Sequence, residues 1–311
     1  LLREHGRLRV RARVDSRFYS GALGVATAVL PGTDLKHEEL LLTAHLYEPG
    51  ASDNASGAAA VIEAGRALAV LVRQGRLAPP RRTIRLLLGH EILGLGAYLF
   101  KNRRRLRSLA GGLNLDDVGA SFDRRPVLRV HGAHDACPSF VQYFADLLAR
   151  EHERRFPHLR VIRGDAFAQI DNHGCDPMVG APMPAFCVHE KALYHTSLDT
   201  PEKTDKLWMA THAAVAGTYA YFLASAGLSE AVWLARSGLD AARREFFAGI
   251  DYAGHHIVYY LLDRPKGELL DTYVLPAADG FRRTGNLRFT DLGDGRTFAH
   301  SQWKDWGCRQ H

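Results

Sequence analysis

Three short apolar runs in this sequence each lead to a side chain that can bind a metal. They cover residues 39–44, 83–88 and 112–115, and they are followed by His45, Glu91 and Asp116. Runs of this length are typical of strands buried in a sheet. Because open α/β sheets bind ligands at the carboxyl ends of their strands, this recurrence predicts a functional site at one edge of a sheet.

Helical patterns alternate with these and further strand candidates along the chain. Helices are expected at residues 58–71, 94–106, 139–151, 204–226 and 229–249, and additional strands at 127–130, 159–162 and 183–188. Strands and helices that alternate in this way favour parallel strand pairing. We therefore predict an α/β fold with a mixed, largely parallel central sheet flanked by helices.

Both ends of the chain have a different character. Residues 1–30, with alternating apolar and polar side chains at 8–14, predict a β-hairpin that leads into the main sheet and is closed by Pro31 and Gly32. Residues 257–262 and 269–275 flank a proline–glycine turn and predict a second hairpin. We expect one α/β domain over residues 1–250 and a small β appendage over 251–311, which can serve as a lid or a dimer arm.

Composition excludes some classes of function. The net charge is +6, but the arginine cluster at 103–107 falls at the end of a predicted helix, where cations favour the helix dipole and a solvated face. We therefore expect no nucleic-acid partner. No apolar run reaches the roughly 18 residues of a membrane span, and the four cysteines lack paired short spacing. A cytoplasmic protein is expected, with secretion an alternative if a leader precedes residue 1 and a homo-oligomer left open.

Five residues form the candidate metal site: His45, Asp53, Glu91, Asp116 and His195. Imidazole and carboxylate groups are the usual non-thiolate ligands of zinc. Five ligands are one too few for two separate three-ligand sites, and a bridging Asp53 resolves the count. His45 and Asp116 would then complete one site, and Glu91 and His195 the other. Taken singly, each residue has an ordinary structural interpretation, such as a helix cap for Asp53 or a helix start for Glu91.

The motifs around these residues resemble a known family. They are His45 with Asp53-Asn54-Ala55-Ser56-Gly57, Glu91-Ile92-Leu93-Gly94, Asn114-Leu115-Asp116, and His195-Thr196-Ser197-Leu198-Asp199. Over about residues 10–225 the chain resembles the co-catalytic di-zinc aminopeptidases, metallopeptidase family twenty-eight, and within it a bacterial aminopeptidase-like branch of unassigned function. The resemblance implies the zinc aminopeptidase fold, two Zn²⁺ ions or other divalent metals, a bridging Asp53, and hydrolysis of the N-terminal residue of a peptide or of an amino-acyl amide.

The sequence departs from that family at the residue before the glutamate ligand. The better-known aminopeptidases have a second glutamate there as general base, whereas this chain has His90. Imidazole can serve as a base near neutral pH, so His90 either replaces the glutamate or is structural. Asp171 is the alternative base, and His173 in the same loop can hold an oxyanion or the substrate amine, or can order the loop.

Three further residues near the motifs are interpreted as supporting ones. Cys175 is expected to pack rather than to act as a nucleophile. Asp117 cannot face the same metal as Asp116 from an extended strand, and Asp199 either orients a ligand or orders its loop. Beside hydrolysis, two functions stay open: another acyl chemistry, such as cyclisation or biosynthetic amide processing, and a non-catalytic binding module on the same fold.

Overall fold

The structure is a computed structural model of the 311-residue chain. It describes residues 11–119, 127–133, 139–156, 160–164, 170–176, 179–188, 193–248, 255–262, 272–277, 280–291 and 297–305. The chain divides into two compact units, Leu1–Ser229 and Glu230–His311. The predicted domain boundary at residue 250 falls inside the second unit and stays a prediction.

A seven-stranded mixed sheet forms the centre of the first unit. Its strands are β1 Ala26–Leu30, β2 Leu35–Leu46, β3 Arg82–His90, β4 Leu109–Asp116, β5 Val127–His131, β6 Arg160–Gly164 and β7 Ala185–Cys187, in the spatial order β1-β3-β2-β4-β7-β5-β6. Strands β3, β2, β4 and β7 pair in parallel. β1 pairs antiparallel with β3, and β5 pairs antiparallel with β7. The predicted fold class is confirmed.

Among the described residues, four α-helices belong wholly to this unit: α1 Ala55–Arg73, α2 Leu93–Lys101, α3 Phe140–Arg155 and α4 Lys206–Ser225. α1 contacts β2, β3 and β4 and also packs against α4. By length and composition α1 is also the one described helix that could cross a membrane. In this fold its alanine, valine and leucine face, including Ala58, Val61 and Leu68, is buried.

The core of the sheet is built from the apolar runs that the sequence analysis identified as strands. Leu41, Leu42, Ile84 and Leu113 are all fully buried. Continuous apolar runs of this kind fit strands that are covered on both faces. These strands therefore give the site a rigid base.

The second unit contains most of α5, Leu228–Ala248, and a four-stranded antiparallel sheet. Its strands are β8 His255–Leu262, β9 Thr272–Ala277, β10 Gly280–Asp291 and β11 Thr297–Asp305, in the order β8-β11-β10-β9. The predicted β appendage is present. The predicted hairpin is wrong, because β8 pairs with β11 and β9 with β10, so the two strands lie at opposite edges.

The predicted N-terminal hairpin is also wrong in the part that the structure describes. Residues 11–25 form no strand, while residues 8–10 lie outside the described residues. Pro31 and Gly32 do follow a strand, but that strand, β1, pairs with β3 rather than with its neighbour β2. Alternating side chains and a turn signal cannot distinguish these two pairings.

Candidate metal centre

The carboxyl ends of β2, β3 and β4 bring three predicted ligands to one edge of the sheet. His45 lies at the end of β2 and pairs in register with Gly89 of β3, two residues before Glu91. β4 pairs with β2 up to Asn114 and ends at Asp116. The Nε2 atom of His45 is 3.2 Å from Oδ1 of Asp116, and both side chains are buried. Parallel register thus brings together residues 71 positions apart.

Asp53 lies between the two histidines. Its Oδ1 is 3.3 Å from Nε2 of His45, and its Oδ2 is 3.2 Å from Nε2 of His195. Ligand atoms that share one zinc at about 2.1 Å stand roughly 3–4 Å apart. Each oxygen of Asp53 is therefore spaced to share an ion with a different imidazole, which is the arrangement a bridging carboxylate requires.

The carboxylate of Asp199 holds the loop that carries Asp53. The backbone N–H of Ser52 donates to Oδ1 of Asp199 at 2.7 Å, and the N–H of Asp53 donates to Oδ2 at 2.9 Å. A Cβ atom at Gly50 would collide with Oδ2 of Asp199 and with the Asp53 carbonyl oxygen. Asp199 thus orders the loop that carries Asp53, and by doing so it also orients the Asp53 side chain.

The start of α1 is fastened to the end of β4. Asn54 caps α1 by accepting from Gly57 N–H at 3.0 Å, accepts from Asp117 N–H at 3.2 Å, and donates to the Leu115 carbonyl at 3.1 Å. The peptide bond between Asp53 and Asn54 is cis. A side chain at Gly57 would collide with Asn54 and with the Leu115 carbonyl. The Asp-Asn-x-Ser-Gly motif therefore fixes the ligand loop to the sheet.

Asp117 bonds to the loop that carries Asp53. Its Oδ1 accepts a hydrogen bond from the Ser52 hydroxyl, and the side chain is buried. Ser56 continues this support, since its hydroxyl donates to the Ser52 carbonyl at 2.6 Å and accepts from Val118 N–H at 3.0 Å. That Asp116, and not Asp117, is the ligand of this strand stays a prediction.

Two glutamates complete the cluster, and only one of them was anticipated. Ligand atoms of His45, Glu91 and Asp116 lie within 4.8 Å of one another, and so do those of His45, Glu48 and Asp53. The predicted sharing of one ion by Glu91 and His195 stays a prediction. Glu48 was missed because it follows Tyr47, whose φ of 75° turns the chain in a way that strand alternation does not reveal.

The charges of the cluster favour a cation. Burial alone would lower the pKa of the His45 imidazole, but its contacts with the Asp116 and Asp53 carboxylates raise that pKa to about 10. Burial raises the pKa of Glu91 and of Glu48, and neighbouring carboxylates add to both shifts. Imidazoles and carboxylates without a thiolate suit zinc and other divalent ions. The residues present therefore fit a metal centre.

His90 lies beside this cluster in the position where the resemblance expects a glutamate. Its ring stacks on the Tyr47 ring with centroids 6.2 Å apart, and its Nδ1 is 3.0 Å from the Glu91 carbonyl oxygen. With Nδ1–H donating to that carbonyl, Nε2 is left as the atom that can accept a proton. Its role as a base stays a prediction, and stacking on Tyr47 supports the structural alternative.

Asp171, the alternative base, lies in a buried environment that shifts its pKa. The side chain is buried, and its Oδ1 accepts a hydrogen bond from Ile92 N–H at 2.7 Å, one residue after Glu91. Burial raises the pKa of Asp171 to about 7, Asp116 and Glu91 add to the rise, and the Ile92 bond and the His45 charge oppose it. A carboxyl group with a pKa near neutral pH can both take and return a proton.

The other predicted residues of this loop, His173 and Cys175, follow Asp171 in the sequence. His173 is half-buried in a short 3₁₀ helix, His173–Cys175, where its Nδ1 is 3.3 Å from the Ile170 carbonyl. Burial lowers the pKa of His173. Cys175 is fully buried in a cluster with Leu41, Leu87 and Met183. The packing interpretation of Cys175 fits this position, and the oxyanion or amine role of His173 stays a prediction.

Tyr194 is a second residue that the sequence analysis did not single out. Its ring stacks on that of His195 with centroids 3.8 Å apart. Burial raises the pKa of Tyr194 to about 12, and the charges of Asp53, Asp116, Glu91 and Glu48 contribute. The phenol therefore stays protonated as a hydrogen-bond donor near the carboxylates. Its place directly before His195 is the signal that could have identified it.

A mixed α/β sheet with imidazole and carboxylate groups at the carboxyl ends of its strands defines a class of metal-binding α/β proteins. Within that class the chain belongs to peptidase family M28, whose model matches residues 26–220. This match confirms the family recognised from the motifs. A comparison with curated proteins gives no match.

Several solved structures share the fold. A peptidase from Clostridium acetobutylicum described as putative has a TM-score of 0.53 at 18% identity, covering 64% of this chain and 44% of its own. An aminopeptidase from Aneurinibacillus sp. strain AM-1 has a TM-score of 0.52 at 21% identity, covering 65% and 48%. The LapA aminopeptidase of Legionella pneumophila has a TM-score of 0.51 at 18% identity, covering 65% and 59%. This chain therefore spans about half the length of these proteins.

Proposed function

We propose that this protein is a di-zinc aminopeptidase, which hydrolyses the bond after the N-terminal residue of a peptide or of an amino-acyl amide. The observation that carries the proposal is the Asp53 carboxylate, whose two oxygens face Nε2 of His45 and Nε2 of His195 at 3.3 and 3.2 Å. Membership of a peptidase family supports the reaction type.

The residues that would hold two ions divide around Asp53. His45 and Asp116 would hold one ion with it, and His195 and Glu91 the other. Two zinc ions supply Lewis-acid polarisation of the scissile carbonyl and activation of the attacking water. Asp199 keeps Asp53 in place through two backbone N–H groups, which maintains the spacing between the two imidazoles.

Proton transfer is assigned to Asp171 in preference to His90. Hydrolysis needs a group that removes a proton from water as the oxygen attacks the carbonyl, and that then delivers the proton to the leaving nitrogen. Asp171 is buried beside Ile92, the residue that follows Glu91. A carboxyl group there can accept the proton in the first step and return it in the second. His90 is stacked on Tyr47 and would shape this wall of the site.

The test combines metal analysis with an activity panel. Protein purified without chelator is expected to contain about two zinc ions per chain, and its turnover of amino-acid anilides should be lost with chelator and restored by zinc. Asp171→Asn should reduce kcat by at least about 100-fold, whereas His90→Gln should change it less than 10-fold. Asp176→Asn, in the same loop, is the matched control and should be near wild type.

Three outcomes would contradict parts of this proposal. Protein that binds no zinc and is not stabilised by added zinc would exclude the metallopeptidase and favour a binding module on this fold. Two bound zinc ions without turnover of any anilide would favour another acyl chemistry. Loss of turnover in His90→Gln but not in Asp171→Asn would reverse the assignment of the base.

A further inference from the structure

Glu48 is an acidic residue of the metal centre that the predicted ligand set does not include. It lies three residues after His45, in the loop between β2 and α1. The left-handed conformation of Tyr47, with φ of 75°, separates Glu48 from the strand. The carboxylate thereby lies among ligand atoms, within 4.8 Å of those of His45 and Asp53.

The separations around His195 match those of ligands on one ion. Nε2 of His195 is 3.2 Å from Oδ2 of Asp53 and 3.8 Å from Oε2 of Glu48. Ligand atoms bound at about 2.1 Å stand roughly 3.0 Å apart at right angles and about 4.2 Å apart when opposite. Both measured distances fall in this interval, so the Asp53 and Glu48 oxygens are each spaced to share an ion with Nε2 of His195.

Glu48 and Glu91 lie near different members of the cluster. The Glu91 carboxylate lies with His45 and Asp116, whereas the Glu48 carboxylate lies with His45 and Asp53. The two glutamates therefore approach the cluster beside different aspartates. With Glu48 included, four carboxylates would face two dications, and their charges would balance.

We propose that Glu48 is a ligand of the ion held by Asp53 and His195. This inference rests on the proposed di-zinc centre. The competing role for a carboxylate at this place is to bind the α-ammonium group of a substrate. The ligand role accounts better for the approach of Glu48 to Nε2 of His195, because the ligand atoms of one ion must lie close together, whereas binding an ammonium group does not require that contact.

The experiment measures metal binding directly, without relying on turnover. Zinc is titrated against a chromophoric chelator into the metal-free wild type, Glu48→Gln and Glu48→Ala. Glu202→Gln is the matched control, because Glu202 is exposed and outside the cluster. Removing a residue that hydrogen-bonds to a metal ligand already lowers metal affinity about 10- to 100-fold. Loss of a ligand itself should therefore lower the affinity for one of the two zinc ions by at least about 10-fold. The control should leave both affinities unchanged.

Cobalt(II) substitution gives a second readout, since its visible absorption reports the coordination of each ion. The absorption band of the more weakly bound cobalt ion should change in both Glu48 variants. Wild-type zinc affinities and an unaltered cobalt spectrum in both variants would overturn the inference, and a raised KM for free-amine substrates alone would assign Glu48 to the substrate ammonium. A wild type that binds no zinc would overturn the proposed function and this inference with it.

Discussion

Replacing Asp199 by asparagine tests how the bridging carboxylate is held. Asp199 accepts hydrogen bonds of 2.7 and 2.9 Å from the N–H groups of Ser52 and Asp53, and it is buried. An asparagine has one acceptor oxygen, so one N–H must face an amide NH₂ instead. A hydrogen bond to a charged group contributes about 1.5–3 kcal/mol, and a buried donor left unsatisfied costs about 1–3 kcal/mol. We expect the free energy of unfolding of the metal-free protein to fall by about 2–3 kcal/mol.

The same substitution should weaken zinc binding, because Asp53 would no longer be fixed between the two histidines. Removing a group that hydrogen-bonds to a metal ligand lowers metal affinity about 10- to 100-fold. We expect a loss of zinc affinity in this range. Urea unfolding of the metal-free protein and zinc competition measure the two effects. Asp205→Asn is the matched control: Asp205 caps α4 by accepting from Trp208 N–H at 2.9 Å, and asparagine caps equally well. Unchanged zinc affinity in Asp199→Asn would refute the argument.

Two further substitutions test other parts of the structure. His212 is fully buried, and burial lowers its pKa to about 4; the unfolded chain therefore binds more protons between about pH 6.5 and 4, and stability is lost as pH falls through that window. Wild type should lose about 2 kcal/mol more than His212→Leu between pH 7 and pH 5 in urea unfolding, and equal losses would refute this. Gly50→Ala should reduce zinc affinity, because its Cβ would collide with Asp199 and Asp53, whereas Gly96→Ala should not. An unaffected Gly50→Ala would show that the loop is not confined as described.

The central fold could be predicted because its signals are local. Continuous apolar runs correspond to β2, β3 and β4, and the helix predicted at residues 58–71 corresponds to α1. Which strands pair with each other was harder to predict. The pairing of β1 with β3, and of β8 with β11, is set by long-range packing that turn residues do not encode.

The candidate metal centre shows the same division. The clustering of His45, Asp53 and Asp116 could be predicted because each lies at a strand end or next to a helix cap, and the structure brings them within 3.3 Å of a partner. The approach of Glu48 to this cluster could not, since a left-handed residue precedes it. The environment of Asp171 depends on its contact with Ile92, 79 residues away. The partners, including the peptide or amino-acid conjugate substrate, and the cellular location stay predictions.

Anomalous X-ray scattering at the zinc absorption edge, from crystals of protein purified without chelator, tests the central claim most directly. The account predicts two anomalous peaks on the order of 3.5–4 Å apart, with the Asp53 carboxylate between them and His45 and His195 on opposite sides. A single peak, or two peaks that do not share Asp53, would contradict it.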